Sequence, residues 1–133
     1  VVALADHESE DIVSVFLDQD EIPKADIDYT APTSGGGAGS GTGAVSTSKW
    51  VGDNSTNAVY IYYALGYDGQ VAIGDLDTAF TEWTSSHRLR GVTYVATQLV
   101  YVSDTEEIWN TNGQPRDIKA VVKGRKLYDP RLD

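Results

Sequence analysis

Hydrophobic positions along this chain follow the two-residue alternation and short apolar runs of β-structure far more often than the spacing of an amphipathic helix. Asp11-Ile12-Val13-Ser14-Val15-Phe16-Leu17 is β-branched and apolar and breaks at Asp18-Gln19-Asp20-Glu21 before Ile22-Pro23, which predicts a strand and a tight turn. A short return strand is expected over residues 25–29, with Pro23 confining its start to an edge. Residues 58–65 place Val59, Tyr60, Ile61, Tyr62, Tyr63 and Leu65 in one run, apolar on both faces, and predict a strand covered on both sides. Residues 92–102 are rich in Val, Thr and Tyr without a helix period and predict a long central strand. Towards the C-terminal end, residues 118–122 and 126–128 flank Lys123-Gly124-Arg125. That is the pattern of a β-hairpin with Gly124 at positive φ.

One stretch carries a helix period. Leu76, Ala79, Phe80 and Trp83 recur at i, i+3, i+4 and i+7 after Gly74, with Asp75 placed to cap and Asp77 at the positive dipole end, so a packed helix is expected over about residues 75–84. Residues 31–48 hold Gly35, Gly36, Gly37, Gly39, Gly41 and Gly43 among small polar residues and read as a flexible excursion within one domain. The polar residues 103–116, with Asn110-Thr111-Asn112-Gly113-Gln114-Pro115, read as a loop. The predicted class is mainly β (α+β): an antiparallel sheet, or a partly closed barrel or sandwich, with one packed helix in a single domain spanning residues 1–133.

Composition narrows the function. With 133 residues the chain has room for one core. No apolar run approaches the roughly 18 residues of a membrane-spanning helix. The absence of cysteine removes disulfides, thiolate catalysis and cysteine-bearing metal sites. A net charge of −10 opposes polyanion binding, so nucleic acid is not an expected partner. The charge is also uneven: residues 6–28 hold nine acids and one base, Lys24, whereas residues 116–131 hold six bases and two acids, Asp117 and Asp129. Either the two ends pair across a sheet, or the basic end docks onto a separate acidic surface. The chain has no methionine and starts at Val1 within an apolar segment, as expected for a piece of a longer protein.

Candidate chemistry is sparse. Gly39-Ser40-Gly41-Thr42-Gly43 lacks the preceding buried strand, following helix and Lys-Ser/Thr order of a phosphate loop. His7-Glu8 has no second histidine four residues on, so no zinc helix is expected. Asp18, Asp20 and Glu21 lack the loop glycine and terminal glutamate of a helix-loop-helix calcium site and read as a polar hairpin tip. No nucleophile elbow is present. Tyr60, Tyr62, Tyr63, Tyr94 and Tyr101 suit either a sugar-stacking platform or core packing. No catalytic residue, cofactor or metal ligand is therefore nominated, and the chain is not expected to be an enzyme.

Three ordered segments nevertheless form a family pattern. Ala3-Leu4-Ala5-Asp6-His7-Glu8 leads into Ile12-Val13-Ser14-Val15-Phe16-Leu17-Asp18. Leu65-Gly66-Tyr67-Asp68-Gly69-Gln70 precedes His87-Arg88-Leu89-Arg90-Gly91-Val92-Thr93-Tyr94-Val95. Ala120-Val121-Val122-Lys123-Gly124-Arg125-Lys126-Leu127-Tyr128-Asp129-Pro130-Arg131 closes the chain. Together they resemble a region near the start of the tail hub, or tail-tip attachment, proteins of long-tailed bacteriophages (protein J-like, central tail fibre). The chain departs from that pattern at Gly69, where the family has Asp, over residues 108–117, and in the glycine-rich excursion.

The resemblance implies a structural role in the virion, at the phage tail tip. The domain would belong to a homotrimeric hub that closes the tail tube, takes part in tail assembly and host attachment, and lines the DNA ejection route. Its implied partners are other domains and copies of the hub protein, neighbouring tail-tip proteins and, through other domains, a host cell-surface receptor. An acidic surface facing the channel would let DNA pass. The terminal hairpin, with Lys119, Lys123, Gly124, Arg125, Lys126, Tyr128 and Arg131, would pack against the rest of the hub. Two alternatives stay open: a carbohydrate- or receptor-binding β module of a virion or cell surface, and a glycosidase fragment with two opposed carboxylates.

Overall fold

Strands β1 (Val2–Ala5), β2 (Ser9–Leu17), β3 (Asp20–Pro23), β4 (Val59–Leu65), β5 (Thr93–Leu99) and β6 (Ile118–Arg125) form two antiparallel sheets. The computed structural model describes residues 1–33, 37–74, 76, 81–113, 115 and 117–125. The first sheet has the order β1-β5-β4 and the second β3-β2-β6. The chain is mainly β, as its pattern predicts, and no barrel closes. One hydrophobic core joins the two sheets, drawing Ile12, Val15 and Leu17 from β2, Ile22 from β3, Ile61, Tyr63 and Leu65 from β4, and Tyr94 and Val95 from β5.

Strand β2 buries residues of opposite parity because it carries a bulge. Its pairing with β6 runs Ile12↔Val122 and then Ser14↔Val121, leaving Val13 as an extra residue. The extra residue shifts the alternation by one. Ile12 on one side of it and Val15 and Leu17 on the other therefore all reach the core, while Val13 points out, 43% exposed. The uneven charge finds its place here: the acidic N-terminal strand β2 pairs with the basic strand β6, Asp11 opposite Lys123 and Ser9 opposite Arg125.

Strand β4 is covered on both faces, as its unbroken apolar run requires. Its free edge is covered too. The Gly43 carbonyl accepts from Ile61 N at 2.8 Å and Val45 N donates to the Val59 carbonyl at 3.1 Å. The expected excursion thus includes a built segment, in which Thr30 bridges Ser40 and Ile27 bridges Val45. Glycine is required where backbone meets ring: Gly43, at φ 78°, has the Tyr62 ring where a Cβ would stand.

Several local expectations are corrected. The return strand is β3 itself, starting at Asp20 after a two-residue turn in which Asp18 adopts φ 55°; residues 24–26 then form a 3₁₀ turn. The long strand ends at Leu99, because the buried Thr105 hydroxyl donates to the Val100 carbonyl and accepts from Val102 N, folding the chain back. The expected loop contains helix α1 (Glu106–Asn112), with Glu106 and Glu107 in its first turn and Gly113 at φ 72° after its end. The C-terminal hairpin turn is absent from residues 123–125: β6 runs straight through Gly124, held by β2 across the register from Ile118 to Arg125. Of the helix expected over residues 75–84, Leu76 is helical, as is Gly74 before it, but residues 81–84 form a turn and irregular structure rather than helix, and positions 75 and 77–80 lie outside the described residues.

Candidate functional site

Of the residues singled out near the C-terminus, Lys119 and Lys123 share one face of the second sheet. Alternation along β6 turns Lys119, Val121 and Lys123 outward, all exposed, and leaves Ile118 and Ala120 half-buried against the core and Val122 half-buried. Gly124 and the backbone of Arg125 continue the strand, whereas Lys126, Tyr128 and Arg131 lie outside the described residues.

Register assembles the rest of this face. Glu21, Phe16 and Lys119 lie directly opposite one another across β3, β2 and β6, and Pro23, Ser14 and Val121 form the next row. Val13 projects beside Val121, which is 46% exposed. Phe16, Val13 and Val121 thus surround the buried Ser14 on this face, with an acid on one edge and lysines on the other. A 490 Å³ hollow opens at one end, lined by Phe16, Asp18, Gln19, Lys119 and Val121.

Among the described lysines, Lys24 and Lys49 are ion-paired, with Asp11 at 2.7 Å and with Asp20 respectively. Lys119 and Lys123 make no ion pair among the described residues. Burial pushes the Asp11 carboxyl up, but hydrogen bonds from Lys24 and from Ile12 N and the charge of Lys123 hold it below the ordinary aspartate value. The same contact raises Lys24. This pair forms one wall of a 340 Å³ cleft whose other lining includes Glu10, Thr30, Thr33, Tyr63 and Tyr67.

No protein-family model matches the chain, and neither curated proteins nor solved structures give a match.

The remaining candidates resolve into structural roles. Tyr62, Tyr63 and Tyr94 are buried, with Tyr29 packed edge-on to Tyr62 and Tyr63, so these rings form core rather than a sugar platform. Only Tyr101 of that set is largely exposed, at 62%. Burial pushes the Tyr94 hydroxyl up to about 12. In the glycine loop, the Asp28 carboxylate accepts from the Thr42 hydroxyl at 2.7 Å and from Thr42 N at 3.2 Å, which puts a negative charge where a phosphate would need backbone donors. At the polar hairpin tip, Asp18 accepts from Asp117 N at 2.9 Å and Asp20 is taken up by Lys49. His7 Nδ1 lies 3.0 Å from the Glu8 carbonyl, and His87 Nδ1 accepts from Thr84 N. The Thr84 hydroxyl also lies 3.2 Å from His87 Nδ1, in an exposed turn.

Sequence reasoning missed two polar clamps, the first of them buried. Gln70, fully buried, accepts from Gly66 N at 2.9 Å and donates to the carbonyls of Arg88 and Leu89 at 3.0 Å each. Asp104 accepts from Asn54 N and Thr56 N at 3.0 Å each and from Asn54 Nδ2 at 3.1 Å. These donors hold its carboxyl below the ordinary value. A Gln in a turn and an Asp in a polar loop carry no local sign of such partners.

Proposed function

We propose that the chain is a non-catalytic building block of a bacteriophage tail tip, a domain of a tail hub protein that contacts other parts of the assembly through β6. The observation that carries this reading is the likeness of residues 120–131 to the hub signature. It is supported by the placement of the described half of that segment, residues 120–125, in which Lys123 stands exposed and makes no ion pair among the described residues. Buried tyrosines and engaged acids leave the sugar-platform reading with little to stand on. The net charge of −10 fits a wall past which DNA slides without sticking.

Charge reversal of Lys123 and Arg125 in the full-length parent protein tests the role. The expected result is loss or slowing of tail assembly, seen as fewer complete tails by electron microscopy, with unchanged expression. Normal assembly and infectivity would remove β6 from the contact. For the DNA route, a virion structure with the acids turned away from the lumen overturns that part of the reading.

A further inference from the structure

We propose that the outer face of the second sheet is a two-fold contact surface, on which two copies of this chain pack face to face with the axis lying along β2 above Phe16. Lys119 of each copy then meets Glu21 of the other.

Three observations carry this. The face presents Val13 and Val121, two large aliphatic side chains more than 40% exposed, beside the half-buried Phe16, and a sheet face with an apolar centre is stable when a second layer covers it. Charge selects the covering layer. Each copy carries a net −10, so approach is opposed over most of the surface, but this face carries the exposed Lys119 and Lys123 beside Glu21 and Asp18. Repulsion between two copies is reduced here. Finally, the face is polarised: Glu21 on β3 and Lys119 on β6 lie opposite the two sides of Phe16, separated by two strand spacings or roughly 10 Å, and they make no ion pair with each other. Rotation about an axis along β2 superposes β6 of one copy on β3 of the other, as an isologous contact requires. Both charges then find partners, and the two apolar centres stack. Edge lysines also discourage strand addition, but that role needs no acid on the opposite edge.

Three short strands offer less than the roughly 800 Å² per partner of a standard interface, so the dimer is weak and reversible. Its salt response is distinctive. Raising ionic strength to about 0.15 M shortens the screening length to roughly 8 Å; this suppresses repulsion between the bodies more than it weakens the close Lys119–Glu21 contacts, and association strengthens.

Sedimentation equilibrium of the chain from micromolar to millimolar concentration, at low and at about 0.15 M salt, provides the test. Dimerisation is expected, stronger at the higher salt. Lys119→Glu or Glu21→Lys alone should weaken it about tenfold, since each variant turns two attractive contacts into repulsive ones. The double variant Lys119→Glu/Glu21→Lys should restore it, and Val121→Asp should weaken it. All three positions are exposed, and circular dichroism confirms that each variant is folded. A monomer throughout the range overturns the proposal. So does a dimer indifferent to Val121→Asp, or a double variant no better than the singles. The inference does not rest on the tail-hub reading and competes with it for this face: a two-fold contact does not generate a threefold ring, and sedimentation of the isolated chain and tail assembly by the full-length protein report on the two separately.

Discussion

Thr93 ties the two sheets together at a single hydroxyl. Its Oγ1 lies 2.9 Å from the His7 carbonyl, 2.9 Å from Ser9 Oγ and 3.1 Å from the Leu65 carbonyl. These belong to the connection between β1 and β2, the start of β2 and the end of β4. One hydroxyl proton is shared among the two carbonyls and Ser9 Oγ, and both side chains are almost completely buried. Thr93→Val keeps the shape and deletes the hydroxyl, leaving buried polar atoms without that partner. The expected cost is about 1–3 kcal/mol, read as a lower urea midpoint with an unchanged denaturant slope. Ser9→Ala should cost less, because the carbonyls keep Thr93 as their donor. A Thr93→Val protein as stable as the original would show that water replaces the hydroxyl at the seam.

At the scale of elements, the segment over the β4 edge depends on glycine for two reasons at once. Gly43 has φ 78°, and a Cβ there would lie 2.5 Å from Tyr62 Cε1. Gly43→Ala should therefore cost more than about 1 kcal/mol and speed hydrogen exchange at Ile61 N, which donates to the Gly43 carbonyl. Exchange unchanged from the original at Ile61 would mean that the edge holds without this segment. This element was illegible from its own residues, since the Tyr29 and Tyr62 rings that shape it come from elsewhere in the chain. Strands β2, β4 and β5 were legible because burial imposes runs and alternations that survive in the sequence. Helix α1 was hidden: seven residues with only Ile108 and Trp109 apolar make a weak period, and its anchor is the Trp109 indole donating to the Val100 carbonyl at 2.6 Å. Gly124 was misread because a glycine between lysine and arginine has turn chemistry locally, whereas pairing with the whole of β2 keeps it in a strand. Charge asymmetry pointed to Lys119 and Lys123; the row that sets Lys119 against Phe16 and Glu21 depends on register across three strands and has no local signature.

For the whole molecule, acid stability should be governed by a few carboxylates that tie segments together. Asp11 holds Lys24, Asp28 holds Thr42 and Asp104 holds the loop at Asn54 and Thr56. Burial opposes ionisation of Asp11 but its partners outweigh it; the Thr42 hydroxyl lowers Asp28, and Asn54 N leads the donors that lower Asp104. Each folded value thus lies below the ordinary 3.8. A carboxyl depressed on folding contributes stability that is complete above its unfolded value and is lost as pH falls through its folded one. These three contributions are therefore intact at pH 7 and disappear below 3.8. Self-repulsion from the net −10 acts the other way near neutrality. The two ion pairs are partly exposed and contribute only about 0–1 kcal/mol apiece, so added salt at pH 7 should raise the melting temperature by screening repulsion more than it lowers it by weakening the pairs. Thermal melts by circular dichroism across pH and salt measure both limbs. Asp104→Asn should flatten the acid limb, since the amide keeps one acceptor oxygen but no longer titrates. Because one core spans both sheets, far-UV and near-UV signals should fall together. An acid limb unchanged in Asp104→Asn would transfer that control to other carboxylates, and separated transitions would mean that the sheets unfold independently.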